Sequence, residues 1–117
     1  MSEDFRPVYL RLRDSIAAAI LDGRYGDGDM LPSVRVFAAE QGANPLTVAK
    51  AYQSFQDEGL VSVRRGVGMF VTPGGAQRLR AMERKRFLRD VWPPVAAQMR
   101  RVGITLDELT AGDALRD

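Results

Sequence analysis

Residues 41–59, QGANPLTVAKAYQSFQDEG, admit few folds. Gly42 supplies the stop of one helix, Asn44 a side-chain oxygen to cap the next, and Pro45 the fixed φ of a first helical position. Val48, Ala51, Tyr52 and Phe55 then recur at i, i+3, i+4 and i+7, which gives the second helix one continuous apolar stripe. Just upstream, Ser33 reads as the N-cap of VRVFAAEQ, where Val34, Phe37 and Ala38 form a short buried stripe. Two short helices joined by about three residues, the turn opening on Gly, form a helix-turn-helix pattern.

The flanking segments fix what surrounds it. PVYLRLRDSIAAAIL predicts an earlier helix with Pro7 as its first residue and Tyr9, Leu12, Ile16, Ala19 and Ile20 on one face. Gly23 ends that helix, and GRYGDGDMLP reads as a glycine-rich connector without a period. After Gly59, VSVRRGVGMFVTP alternates apolar and polar residues, interrupted by Arg64-Arg65-Gly66-Val67-Gly68. It predicts two short strands around a tight, doubly basic turn. Three helices followed by a β-hairpin make a winged helix-turn-helix, expected over residues 1–73.

Residues 74–117 change character. AQRLRAMERKRFLRDVW sets Ala76, Leu79, Met82, Phe87 and Trp92 as apolar anchors among many Arg and Lys. Trp92-Pro93-Pro94 is expected to kink or break that helix, since proline removes a backbone donor and clashes with the preceding turn. A further helix from Pro93 to about Val102 closes at Gly103, and Thr105-x-x-Glu108 is a capping box for a short last one. The tail from Ala111 has little to pack and is expected to fray. The fold class is α+β: a winged helix-turn-helix and a small all-α C-terminal region.

Composition removes whole classes of function. The 117 residues contain no Cys and no His, so disulfides, thiolate metal sites and the commonest general base are absent. No convergent pair of carboxylates can be named for acid–base work, so neither an enzyme nor a cofactor is expected. The acidic loop with Asp22, Asp27 and Asp29 lacks the ligand number and spacing of a calcium site. No apolar run approaches the roughly 20 residues of a membrane span, and MSEDFRPVY has no signal-type apolar core, so a cytoplasmic protein is expected. Lys+Arg number 17 against Asp+Glu 15, a net charge of +2, so distribution matters more than the total. Acidic residues gather at both ends and in LDGRYGDGD, while the hairpin turn and RLRAMERKRFLR are basic.

Each candidate signal has a plain alternative. The face of the second helix away from the stripe carries Leu46, Lys50, Gln53 and Asp57, with Asn44 and Thr47 near its N-terminal end. It suits a groove-reading helix, whose N-terminal side chains reach base edges, and equally a solvated face with an ordinary cap. Arg35 sits in the first turn of its helix, where a cation opposes the helix dipole and an external phosphate or guanine would justify it. The Arg64-Arg65-Gly66 turn suits a phosphate-lined groove, or simply a charged tip that blocks edge aggregation. Its Gly-x-Gly lacks the strand-to-helix setting of a nucleotide site. The arginines from Arg78 to Arg89 read as the flanks of a helix interface in preference to a second nucleic-acid patch.

Taken in order, these elements resemble the winged helix-turn-helix of GntR-family transcriptional regulators. The resemblance runs from about Pro7 to Val71 through Pro7-x-Tyr9, Leu31-Pro32-Ser33-x-Arg35, Thr47-Val48, Ala51-Tyr52, Glu58-Gly59-Leu60 and Arg65-Gly66-x-Gly68-x-Phe70-Val71. Asn44-Pro45, the short C-terminal region and VGITLDEL are most similar to the YtrA-type branch. That branch has a small two-helix tail for dimerisation in place of a large effector domain. The resemblance implies a homodimeric regulator of double-stranded DNA, more often a repressor, reading a two-fold symmetric operator. Arg35, Thr47 and, at the wing tip, Gly66 would contact DNA, with Arg65 beside Gly66 in the minor groove or on phosphate. Asn44, Leu46, Lys50 and Arg64 complete the expected DNA-facing set. Many relatives are basic at the positions of Pro45 and Ala49, so base readout through those two is unavailable here. Leu79, Met82, Phe87, Trp92 and Met99 are expected to line the dimer interface, where an unidentified small-molecule effector would have to bind. A winged-helix module docking protein or RNA is the competing expectation.

Overall fold

Apolar stripes on the first three helices meet in one core. The computed structural model describes residues 7–111. In chain order it contains α1 (Val8–Leu21), α2 (Val34–Gln41), α3 (Pro45–Asp57), β1 (Val61–Arg64), β2 (Gly68–Val71), α4 (Gly75–Arg86), a π-helical turn (Phe87–Val91), α5 (Trp92–Val102) and α6 (Leu106–Thr110). They divide into two units, one through Arg80 and one from Ala81 onward. No described helix is long and apolar enough to cross a membrane. The frayed tail expected beyond Ala111 lies outside the described residues.

In the first unit, Leu12, Ile16 and Ile20 of α1 join Phe37 and Ala38 of α2 and Val48, Ala51, Tyr52 and Phe55 of α3 in a single buried cluster. Each fully buried large side chain contributes roughly 1.5–3 kcal/mol of burial. Arg13 ties α1 to the end of α3: its Nε donates to Ser54 Oγ and its Nη2 to Glu58 Oε1, each at 2.8 Å, with the guanidinium 4.9 Å from the Phe55 ring centre. Pro7 precedes α1 as its cap residue, at φ −54 and ψ 145, and is not its first helical residue. Its carbonyl accepts from Leu10 and Arg11 N–H, so it caps the first turn from just outside the helix.

The connector after α1 is more ordered than its glycines suggest. Gly28 N–H donates to Val71 O at 2.8 Å, Val71 N–H to Asp29 O at 2.9 Å, and Leu31 N–H to Met69 O at 2.8 Å. Met30 thereby bridges Phe70 antiparallel and lays a third extended segment against the hairpin. Side-chain period cannot reveal this, because the ladder uses backbone groups whose partners lie far along the chain. The acidic loop is equally occupied. Asp29 Oδ2 accepts from Gly26 N–H, and Asp27 accepts from Gly74 N–H at 2.7 Å and Ala76 N–H at 3.3 Å, capping the start of α4. Turn and cap chemistry accounts for these two carboxylates.

The start of α4 belongs to the first unit, later than the expected boundary after Pro73. Gly75 is buried, and a Cβ there would lie 2.7 Å from Leu60 O. Arg80 Nη2 donates to Leu21 O at 3.0 Å, and Arg78 donates to Gly59 O, which also accepts from Thr72 Oγ1. Leu79 is 1% exposed within the same core cluster. Its assignment to the dimerisation groove is therefore corrected. The apolar stripe of α4 reads as one face in sequence, but its first turn is covered by the body that precedes it.

In the second unit the double proline neither breaks nor simply bends the helix. Trp92 N–H donates to Phe87 O, an i→i−5 bond, and Arg86, Val91 and Trp92 all keep right-handed helical angles. Pro93 and Pro94 follow directly on the π-helical turn, whose wider winding accommodates rings that would clash with a regular preceding turn. Gly103 ends α5 in the left-handed conformation, and Thr105 and Glu108 form the expected reciprocal capping box.

Candidate nucleic-acid interface

Three short segments of the first unit carry the candidate groups. Ser33 Oγ accepts from Val36 N–H at 3.1 Å and starts α2, which puts Arg35 in the first turn with its side chain exposed. The other free N–H groups of that turn also favour an anion. Among the described residues Arg35 has no hydrogen-bond or ion-pair partner, and neither has Arg65.

The turn into α3 has the form its sequence dictates. Gly42 is left-handed at φ 62 and ψ 38, and Ala43 N–H returns to Ala38 O. Asn44 Oδ1 then accepts from Leu46 N–H at 2.8 Å, with Pro45 opening the helix. That bond orients the Asn44 side chain as a cap and leaves its amide N–H groups for an outside acceptor. Leu46 projects into solvent, Thr47 is half-buried, and Lys50 leans back so that its ammonium lies 5.1 Å from the Tyr9 ring centre. Attraction to the ring face holds that cation toward α1.

At the wing, Val67 N–H donates to Arg64 O at 2.9 Å and Gly66 takes φ 79, a conformation that Cβ-bearing residues rarely adopt. The Arg64 guanidinium carbon lies 4.3 Å from the Phe70 ring centre, an attraction that holds this cation against the wing while the residue stays exposed. Arg65 stands beside Gly66 at the exposed tip.

Two links hold these segments to one another. Tyr52 Oη donates to Pro32 O at 2.7 Å, joining α3 to the residue just before the α2 cap. Burial pushes the Tyr52 phenol well above its usual range, with Tyr25 and Glu40 adding to the shift, so the hydroxyl stays a donor. The Leu31–Met69 bond joins the same stretch to the wing. Between them lies an apolar cavity of about 330 Å³ lined by Pro32, Ser33, Val34, Tyr52, Val63 and Val67. Met30 closes over Gly68, where a Cβ would fall 2.8 Å from its sulfur. Arg35, the first turn of α3 and the Arg64–Gly66 tip are thus parts of one compact unit.

The family model for bacterial regulatory proteins of the gntR family matches residues 8–71, more than half of the chain and all of these segments. The chain belongs to the GntR family. It is 30% identical over 109 residues to the uncharacterized HTH-type transcriptional regulator YhcF of Bacillus subtilis, covering 92% of this chain and 87% of that one. It is 38% identical over 66 residues to the HTH-type transcriptional repressor YtrA of the same organism, covering 56% of this chain and 51% of that one. Among solved structures, a transcriptional regulator from Oenococcus oeni superposes with a TM-score of 0.69 at 30% identity, covering 99% of this chain and 97% of that one. The chain is therefore a YtrA-like member of a family of DNA-binding transcriptional regulators, which are not enzymes.

All of the expected DNA-facing residues lie in the first unit of this GntR-family chain. Of the residues expected at the dimer interface, Met82 and Phe87 are exposed and Trp92 and Met99 are half-buried in the second unit, while Leu79 is not available. Sequence reasoning missed Met30, which positions the wing, and Arg78 and Arg80, which clasp α4 to carbonyls at the ends of earlier elements. Met30 carries no local signal, since its role depends on a strand pairing across some forty residues.

Proposed function

We propose that this regulator binds a two-fold symmetric operator as a homodimer and acts as a repressor. The observation that carries the DNA-reading part is that, among the described residues, Arg35 and Arg65 have no partner and lie exposed in the same unit as the first turn of α3. In this reading α3 enters the major groove with Asn44, Leu46 and Thr47 toward base edges, Arg35 reaches a guanine or phosphate, and the wing tip follows the adjacent backbone. Arg64, Arg65 and Lys50 supply the salt-sensitive part of affinity.

The second unit supports dimerisation. Among the described residues from Ala81 onward none is buried, while Met82, Phe87, Leu88, Val95, Val102, Ile104 and Leu106 are exposed. An apolar surface of that extent on so short a segment needs a cover, and a second copy supplies one. Half-sites then lie about one helical turn apart, and linking two weak half-site interactions raises affinity through effective concentration. Repression needs only occupancy of the operator, and the related YtrA of Bacillus subtilis bears the name of a repressor. An effector would sit among Phe87, Trp92 and Met99, where Trp92 fluorescence would report it.

The test is selection of duplexes from a random pool followed by titration at several salt concentrations. Arg65→Ala should weaken all duplexes alike and reduce the slope of log K against log salt by about 0.9 for each phosphate it leaves without a cation. Thr47→Ala should mainly blur the choice of sequence. Equal binding of selected and random duplexes would favour the docking of RNA or protein instead.

A further inference from the structure

Leu46 is 79% exposed, the most exposed large hydrophobic side chain among the described residues, and it occupies the first turn of α3. The core stripe of that helix is Val48, Ala51, Tyr52 and Phe55, all buried, so Leu46 has no place in the core among the described residues. A single exposed leucine is ordinary on a protein surface. Its neighbours make this one informative. Pro45 and Ala49 offer no polar side-chain group, and Lys50, the only cation of α3, is drawn over Tyr9. The first two turns of the helix therefore lack the side chain that grips guanine through two hydrogen bonds. What they present outward is one branched apolar group, with the exposed Asn44 cap and half-buried Thr47 on either side of it in the chain.

We propose that Leu46 is a specificity-determining residue that reads the 5-methyl group of a thymine in the major groove. The inference rests on the DNA-reading function proposed above. Among the base edges of that groove, the thymine methyl is the apolar feature, and contact with it removes both groups from water. The Asn44 cap aids this reading by fixing where the helix begins, and hence where Leu46 projects.

The experiment takes a duplex selected by the purified full-length protein and replaces each thymine by uracil in turn, which deletes the methyl and keeps every hydrogen-bonding group. For the unsubstituted protein, one thymine per half-site should prove sensitive, with affinity falling about fourfold, the worth of one buried carbon group. Replacing both symmetric positions should cost about fifteenfold. Leu46→Asn should bind the thymine and uracil duplexes equally, whereas Leu46→Met, which keeps an apolar reach, should retain the difference. Both substitutions are at an exposed site, so folding is preserved. Absence of any uracil effect on the unsubstituted protein, or an undiminished effect in Leu46→Asn, overturns the assignment. A protein that does not discriminate any duplex from random DNA overturns the underlying function itself, so the two failures are distinguishable.

Discussion

Replacing Arg35 by alanine is expected to remove most sequence-specific DNA binding while leaving the fold intact. A bidentate contact to a base is worth about 1–3 kcal/mol, and a symmetric dimer makes it twice, so the loss is about 2–6 kcal/mol, or about 30-fold to about 2 × 10⁴-fold in affinity. Stability should hold or rise slightly, because Arg35 is exposed, has no partner among the described residues and is placed where its charge opposes the helix dipole. Arg35→Lys should fall between, since it keeps the charge but not the planar fork. Fluorescence anisotropy on a selected duplex, run beside thermal unfolding, separates the two effects. Retention of affinity within threefold in Arg35→Ala would show that α2 does not face the DNA. A fall in melting temperature parallel to the fall in affinity would show a structural role in place of a contact.

The parts of the fold that could be read from sequence are those built by local chemistry. The Ser33, Asn44 and Thr105 caps and the Gly42 and Gly103 stops act within a turn of their own position, and each is found where its residue type requires it. The stripe of α3 was equally legible, because a 3.6-residue period survives whatever packs against it. The third extended segment was not, since Gly28, Asp29 and Leu31 pair through backbone atoms with a strand much later in the chain. The prolines after Trp92 signalled a disturbance but not its form, which depends on whether the preceding turn can widen. Among the candidate site residues, sequence located Arg35 and the wing arginines. It could not show that Lys50 turns toward Tyr9, nor that Arg64 lies over Phe70, because both depend on which ring folding brings alongside.

Leu79→Ala should cost about 2–5 kcal/mol of stability, the usual range for truncating a buried leucine. In a unit of this size that corresponds to a drop of at least about 8 °C in melting temperature. Relaxation around the cavity is restricted, because one turn earlier Gly75 already lies against Leu60 O and Asp27 holds the helix start. The placement is checked by denaturing the protein at two widely separated concentrations. Leu79→Ala should lower the midpoint at both, as a core residue must. Phe87→Ala, at a side chain 49% exposed in the second unit, should instead alter how strongly the midpoint depends on concentration, as a weakened subunit interface does. If Leu79→Ala changes only the concentration dependence, Leu79 faces a partner after all and the first turns of α4 belong to the interface. The contrast between the two substitutions therefore decides where along this one stripe the burial within a chain ends and the burial between chains begins.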